Sequence, residues 1–219
     1  MTETYFLNLG NTVWDQTNEY LLSFISHERK ERISYYYFDN DKKLSLYSAL
    51  LAKMMLSKLI GVQVSQLHFG RQELKKPILL SYPSVHFNFS HTRDCVFLGI
   101  SDCPLGVDVE KMLNAPFEIM DLIFHPSEIK YILESPLEER NLYFYKVWTR
   151  KESFVKESGE GLSYELKQLN VMDTPNSPFF SSCVVDGYMA SIYSKKSKKM
   201  LRPKKVDVAE IEKFYKEIM

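Results

Sequence analysis

The sequence predicts an α+β protein, because segments with the period of a helix and segments with the period of a strand follow one another along its 219 residues. Two segments carry this prediction. From Asp41 to Ile60, apolar residues recur at steps of three and four, and Gly61 follows as a C-terminal cap, which is typical of a helix. From Val85 to Ser90, apolar and polar residues alternate strictly, which is typical of a strand.

The remaining segments complete an expected order of β-α-α-β-β-β-α-α-β-α. The first strand is expected at Thr4–Leu9, and one helix with an apolar start and a charged middle at Glu19–Tyr37. Strands at Cys95–Ile100 and Leu105–Glu110 follow Val85–Ser90 in quick succession, which predicts an antiparallel meander of three strands. The second part is expected to hold helices at Pro126–Leu133 and Pro136–Ser158, a strand at Cys183–Tyr193 and a last helix at Asp207–Met219.

Acidic and basic residues balance, with 28 of each, so no overall charge favours nucleic acid. Basic clusters occur locally, at residues 27–32 and 195–205. The three cysteines are widely spaced without a CxxC pair, which argues against disulfide or zinc sites and favours thiols in a reducing cytoplasm. The N-terminus does not read as a signal peptide, and no apolar run approaches the roughly 18 residues of a membrane span. We therefore expect a cytoplasmic protein without nucleic-acid or membrane partners.

Two carboxylates stand two residues apart in the segment GVDVE, residues 106–110. On a strand, Asp108 and Glu110 point to the same side, where their like charges repel. A hard divalent cation such as Mg²⁺ is the natural compensator, since it prefers oxygen ligands. The alternative is a solvated strand face, which is commonly polar.

A second candidate segment is WTRKESFVK, residues 148–156, which is followed by ESGEGL. On a helix, Trp148, Glu152 and Lys156 lie four residues apart and share one face. This stripe combines an aromatic ring, a carboxylate and an amine. The alternative is a partly buried Trp148 beside an exposed Glu–Lys pair.

The third candidate segment is FNFSH, which ends in Ser90 and His91. A serine hydrolase is disfavoured, because neighbouring residues of a strand point to opposite faces and no G-x-S-x-G turn is present. Phosphate contacts at the end of a strand are a better use of these two side chains. A strand-end hydrogen bond is the alternative.

Together, the order FNFSHT, GVDVEK and WTRKESFVKESGEGL resembles the Sfp-type family of 4'-phosphopantetheinyl transferases. The segment SFISHERKER and Lys76-Pro77 extend the resemblance over most of the chain. It implies the fold of that family, with two similar α+β halves in a pseudo-twofold arrangement and the active site between them. The halves would be residues 1–103, on the adenosine and phosphate side of coenzyme A, and residues 104–219, with the metal-binding and catalytic motifs.

The resemblance also implies an activity and the residues that perform it. A monomer would transfer the 4'-phosphopantetheine of coenzyme A to a serine of an apo acyl or peptidyl carrier protein and release adenosine 3',5'-bisphosphate. Asp108, Glu110 and Glu152 would hold Mg²⁺. Glu152, or a water that it orients, would take the serine proton, and Lys156 would contact the phosphates and neutralise the leaving group.

Five further residues are implied on the coenzyme A side: Arg29, Arg32, Lys76, Ser90 and His91. The two arginines and His91 would lie near the 3'-phosphate, Ser90 near the phosphates, and Lys76 at the adenosine or phosphate end. Leu44 and Ser48 depart from the pattern, since the family commonly has a basic residue and a glycine there.

Two other functions are weighed against this one. One is a non-catalytic protein that binds coenzyme A or a carrier; the cost of clustering three carboxylates argues against it. The other is a different Mg²⁺-dependent phosphotransferase acting on nucleotides. The absence of a G-x-x-x-x-G-K-[ST] motif argues against its P-loop version.

Overall fold

The computed structural model of the chain describes residues 2–10, 13–71, 76–159, 166–173, 175, 177–195 and 202–218. Gly161 of the segment WTRKESFVKESGEGL and most of the basic segment 195–205 lie outside the described residues. Within the described part, no helix is both long enough and apolar enough to cross a membrane.

Nine strands and seven α-helices occur among the described residues. The strands are β1 (Thr2–Asn8), β2 (Phe69–Arg71), β3 (Pro77–Leu79), β4 (His86–Thr92), β5 (Cys95–Ser101), β6 (Gly106–Lys111), β7 (Phe180–Val185), β8 (Tyr188–Tyr193) and β9 (Lys204–Val206). The α-helices are α1 (Gln16–Leu21), α2 (His27–Ser34), α3 (Asp39–Ile60), α4 (Met120–Ile123), α5 (Pro126–Glu134), α6 (Leu137–Ser158) and α7 (Val208–Glu217).

Two sheets, each covered by a long helix, form the body of the molecule. The first has the strand order β4-β5-β1-β9, and α3 packs on β4 and β5. The second has the order β6-β8-β7, and α6 packs on β6 and β8. Leu50 and Phe87 belong to the core under α3, and Val147 and Met189 belong to the core under α6. A third apolar cluster joins Phe97 of the first sheet to side chains of β6 and β8, so the sheets contact each other.

The two sheets share one topology. In each, a strand is followed by a long helix and then by a hairpin whose second strand pairs antiparallel with the first strand, giving β4-β5-β1 and β7-β8-β6. Both long helices have 22 residues and end at a left-handed glycine, Gly61 (φ 78°) and Gly159 (φ 79°). The expected pair of similar α+β halves is confirmed, although the sequence itself shows no strong repeat.

The end of the chain returns to the first sheet. Strand β9 pairs in parallel with β1, and Val206, Ile211 and Tyr215 join the core under α3. The division between residues 103 and 104 stays a prediction. The structure adds that the last elements, expected with the C-terminal half, pack on the N-terminal one.

Three predicted elements were wrong in extent or partner. The helix expected at Glu19–Tyr37 is broken at Ile25 and Ser26, which are both extended; the Ser26 hydroxyl accepts from the Arg29 amide and starts α2 anew. The expected meander is absent, because β6 pairs with β8 and not with β5. The strand expected at Cys183–Tyr193 is a hairpin turning at Asp186 (φ 49°) and Gly187 (φ 81°), the Asp-Gly pair favoured in tight hairpin turns.

Candidate active site

The backbone of β6 lies directly against the last turns of α6. A Cβ atom added to Gly106 would be 1.9 Å from the Ser153 carbonyl oxygen and 2.4 Å from the Glu157 amide nitrogen. Only glycine permits so close an approach. Since side chains alternate along a strand, Asp108 and Glu110 lie on the same side as Gly106, which faces α6. The sequence predicted that the two carboxylates share a face, but not that this face meets the helix.

The close approach brings three of the sequence motifs into contact. The Lys156 ammonium on α6 lies 2.6 Å from Asp108 Oδ1 on β6 and 2.8 Å from Ser90 Oγ on β4. The Ser90 hydroxyl in turn donates to Asp108 Oδ1 at 2.9 Å. These three side chains therefore form one charged, hydrogen-bonded group at the junction of the two halves.

The two glutamates share the electrostatic environment of Asp108. The pKa of Glu110 is raised, first by desolvation and then by the charge of Asp108, while a hydrogen bond of 3.0 Å from Thr92 lowers it. The pKa of Glu152 is raised by the same two causes, and the charge of Lys156 lowers it. Burial and the charge of Asp108 thus disfavour the ionisation of both glutamates, which is the condition that a nearby cation relieves.

One oxygen of this group has no partner. Asp108 is buried, and its Oδ2 atom accepts no hydrogen bond within the described structure. An unpaired buried carboxylate oxygen is costly unless a donor or a metal ion reaches it. The oxygen ligands therefore suit a hard divalent cation. As arranged, however, no three His, Cys, Asp or Glu side chains of the described residues form a ready metal-holding group, and the Lys156 ammonium lies on Asp108.

A basic cavity of about 630 Å³ lies on the N-terminal side of this group. Arg29 and Arg32, one helical turn apart on α2, both line it. Desolvation and the charges of Arg32 and Arg71 lower the pKa of Arg29 to about 10. Arg29 donates to the Ser45 carbonyl at 3.0 Å, whereas Arg32 Nε is buried without a partner in the described structure. An anion bound in the cavity would relieve this crowding of positive charge.

The sequence analysis missed several residues of this cavity. Lys53 of α3 and Arg71 of β2 add positive charge, and Phe69 and Phe89 give it aromatic walls. The Arg29 guanidinium lies 5.7 Å from the centre of the Phe89 ring. No motif marks these residues. The alternation of the Val85–Ser90 segment predicted which way Phe89 points, but not that a cavity lies on that side.

His91 connects the basic cavity with the acidic group. It stands at the end of β4, next to Ser90 but on the opposite face. Its side chain is exposed overall, yet the pKa of the imidazole is lowered, first by desolvation and then by the charges of Lys156 and Arg29. The ring therefore lies within electrostatic range of both Arg29 in the basic cavity and Lys156 in the acidic group.

The structure also shows the contacts of the other residues that the sequence analysis singled out. Lys76 does not line the basic cavity; its ammonium donates to the carbonyls of Leu105 and Glu157. Trp148 is half-buried and stacks on Phe144, as its structural alternative predicted. Lys156 pairs with Asp108 instead of forming the alternative exposed pair with Glu152. The departures Leu44 and Ser48 are both buried in the packing of α3, and the Ser48 hydroxyl donates to the Leu44 carbonyl.

Comparison with known proteins decides the family. A family model described as "4'-phosphopantetheinyl transferase superfamily" matches residues 104–209, and one described as "4'-phosphopantetheinyl transferase, N-terminal" matches residues 13–102. The "4'-phosphopantetheinyl transferase Sfp" of Bacillus subtilis (strain 168) is 32% identical over 167 residues, which are 76% of this chain and 75% of the relative. The chain belongs to the 4'-phosphopantetheinyl transferase superfamily.

More distant relatives carry the same activity in their names. The "4'-phosphopantetheinyl transferase gsp" of Aneurinibacillus migulanus is 27% identical over 74% of this chain and 68% of the relative. The "L-aminoadipate-semialdehyde dehydrogenase-phosphopantetheinyl transferase" of Rattus norvegicus is 30% identical over 72% of this chain, and the match spans 56% of that longer relative. The predicted Sfp-type family is confirmed, and this transferase has the α+β phosphopantetheinyl transferase fold.

Proposed function

We propose that this transferase moves the phosphopantetheine arm of coenzyme A to a serine of an apo acyl or peptidyl carrier protein at the junction of its two halves. The observation that carries the proposal is the contact of Ser90, Asp108 and Lys156, which come from three separate motifs, on β4 of the first sheet, β6 of the second sheet and α6. Membership of the family fits transfer, and the comparisons give no support to a non-catalytic binding protein.

Coenzyme A is proposed to enter from the basic cavity. Its 3'-phosphate supplies the anion that Arg29 and the unpartnered Nε of Arg32 lack, and arginine pairs well with phosphate through its planar donors. The aromatic walls accept the adenine ring. From there the diphosphate passes His91 and Ser90 toward Lys156, between the cationic groups of Arg29 and Lys156.

We assign Mg²⁺ to the acidic group, with Asp108, Glu110 and Glu152 as its protein ligands. When bound there, the cation neutralises charge on the diphosphate and orients the reacting oxygens. The support is the oxygen-only donor set, the unpartnered Asp108 Oδ2 and the raised pKa of both glutamates. In this arrangement Asp108 Oδ2 would hold the cation, and the Lys156 ammonium would exchange Asp108 Oδ1 for a phosphate oxygen of coenzyme A.

The reaction forms one bond and breaks one. The serine oxygen bonds to the phosphorus that carries the pantetheine arm, and the bond from that phosphorus to the bridging diphosphate oxygen breaks, releasing adenosine 3',5'-bisphosphate. Glu152, directly or through a water, takes the serine proton. Lys156 neutralises the charge that develops on the leaving oxygen.

The test is mass spectrometry of an apo carrier protein after incubation with the transferase, coenzyme A and Mg²⁺. We expect the carrier to gain one phosphopantetheine with the wild-type protein and with Glu138→Ala, an exposed change at the other end of α6. Asp108→Ala and Glu152→Ala should load almost none while remaining folded. Tight binding of coenzyme A without any gain in carrier mass would instead indicate a binding protein, and phosphorylation of a nucleotide without carrier would indicate a different phosphotransferase.

We also propose that the protein works as a monomer in the cytoplasm, without nucleic-acid or membrane partners. The two halves already supply both sides of the site within one chain, and its acidic and basic residues balance. Light scattering on the purified protein tests the monomer, since a dimer would double the measured mass.

A further inference from the structure

Lys76 joins two distant points of the second half. Its ammonium donates to the Leu105 carbonyl at 3.2 Å and to the Glu157 carbonyl at 2.7 Å. Leu105 directly precedes Gly106 at the start of β6, and Glu157 directly follows Lys156 near the end of α6. One side chain of the first half thus holds the strand and the helix that carry the acidic group.

The chemistry of this contact is that of a helix C-terminus. The last carbonyls of an α-helix have no donor within the helix, and they carry the negative end of its dipole. A lysine ammonium satisfies such a carbonyl and is attracted by the dipole. Desolvation lowers the pKa of Lys76, partly offset by the charge of Glu157, so the half-buried ammonium depends on these polar contacts.

The contact spans the point where the two elements touch most closely. Gly106 leaves no room for a Cβ atom against Ser153 and Glu157, and the two carbonyls held by Lys76 lie beside this point in the sequence. Asp108 lies two residues after Gly106 on β6, and Lys156 directly precedes Glu157 on α6. A shift between β6 and α6 therefore moves Asp108 away from Lys156 directly.

We propose that Lys76 is a positioning residue, which clamps β6 to α6 and so fixes the separation of Asp108 from Glu152 and Lys156. This inference rests on the proposed function of that site. It differs from the contact with coenzyme A that the family resemblance implies for Lys76. The positioning role is supported by the two partners of the ammonium, which are backbone carbonyls directly before β6 and near the end of α6.

The experiment compares Lys76→Met, Lys76→Arg and Arg32→Met in carrier-loading kinetics, with calorimetric titration of coenzyme A and thermal unfolding of each variant. For Lys76→Met we expect kcat to fall about 10- to 100-fold, because a misplacement near 1 Å has effects of this size. Its Kd for coenzyme A should stay within about twofold of wild type. Lys76→Arg, which keeps a cationic donor, should recover most of the lost kcat, whereas Arg32→Met should mainly weaken coenzyme A binding.

The outcomes separate this inference from the proposed function. A wild-type protein that loads no carrier overturns the proposed function, whatever Lys76 does. If the wild type is active, a Lys76→Met variant with unchanged kcat and a Kd for coenzyme A raised tenfold overturns the positioning role in favour of a ligand contact. A lower unfolding temperature with unchanged kcat overturns it in favour of a purely structural contact. If Lys76→Met does not fold, Lys76→Gln, which keeps one donor, is measured in the same way.

Discussion

Replacing Gly106 with alanine adds one methyl group at the closest contact between β6 and α6. The new Cβ would be 1.9 Å from the Ser153 carbonyl oxygen, whereas ordinary van der Waals contacts begin near 3.4 Å. Both obstacles, Ser153 O and Glu157 N, are backbone atoms, so no side-chain rotation can make room. The strand and the helix must therefore separate by about 1.5 Å in this direction, the difference between the two distances.

That separation occurs next to the site. Asp108 is two residues from Gly106, and its ion pair with Lys156 spans 2.6 Å across the same interface. Because a misplacement of about 1 Å can cost about 100-fold in rate, we expect Gly106→Ala to lower kcat by about 100-fold. Overpacking of this kind also costs about 1–3 kcal/mol of stability.

The assay is carrier loading under saturating coenzyme A, with urea unfolding to measure the free energy of unfolding. The matched control is Ile192→Ala on β8, whose side chain lies in the apolar cluster between the sheets, on the face away from α6. It should cost about 2–5 kcal/mol of stability yet keep a kcat near wild type. A folded Gly106→Ala protein with wild-type kcat would refute the view that this backbone contact sets the site geometry.

Three other changes test the site and its support. Because burial and Asp108 raise the pKa of Glu152, the stability that its neutral form contributes is lost as pH rises from about 4.3 through that raised pKa. Glu152→Gln should therefore stabilise the metal-free protein, kept in excess chelator, at pH 8 but not at pH 4. Equal changes in the free energy of unfolding at both pH values, measured in urea, would contradict this. Lys156→Met should tighten Mg²⁺ binding several-fold by calorimetry, because the ammonium no longer competes for Asp108; an unchanged affinity would count against Lys156 as competitor. Lys151→Met should lower the free energy of unfolding in urea by about 3–5 kcal/mol, because it leaves the fully buried Glu128, 2.9 Å away, without its cationic partner. Adding Glu128→Gln should restore most of the lost stability.

Local pattern was enough for elements whose signals lie within a few residues. The period of Asp41–Ile60 and the glycine after it predicted α3 almost to the residue, because residues within the helix and directly after it specify both the apolar face and the cap. The prediction of one helix at Glu19–Tyr37 was wrong, because it overlooked a local signal at Ser26. Its charged and apolar residues continue a helical pattern across Ser26, but the hydroxyl of Ser26 bonds the Arg29 amide and ends one helix where another begins.

Partners distant in sequence could not be read from pattern. Alternation showed that Asp108 and Glu110 share a face, and the structure agrees. The quick succession of three strands, however, predicted the wrong neighbour for β6, which pairs with β8. Local sequence specifies the faces of a strand, while its partner depends on long-range packing. Lys53 and Arg71 entered the basic cavity unpredicted for that reason, since α3 and the short β2 are distant from α2 in sequence and meet only in the fold.

The parts of the motifs that carry no charge explain how the site is held together. A reading based on chemistry selects Asp108, Glu152 and Lys156, yet the distances among them depend on Gly106, which contributes no functional group at all. Glycine is required there because the strand backbone and the helix backbone touch, and the carboxylate two residues later is placed by that contact. If Lys76 clamps the same interface from the first half, then the spacing of the reacting groups is set by the backbone contact of β6 with α6 and by one side chain that holds both, and substitutions that leave Asp108, Glu152 and Lys156 intact can still abolish transfer.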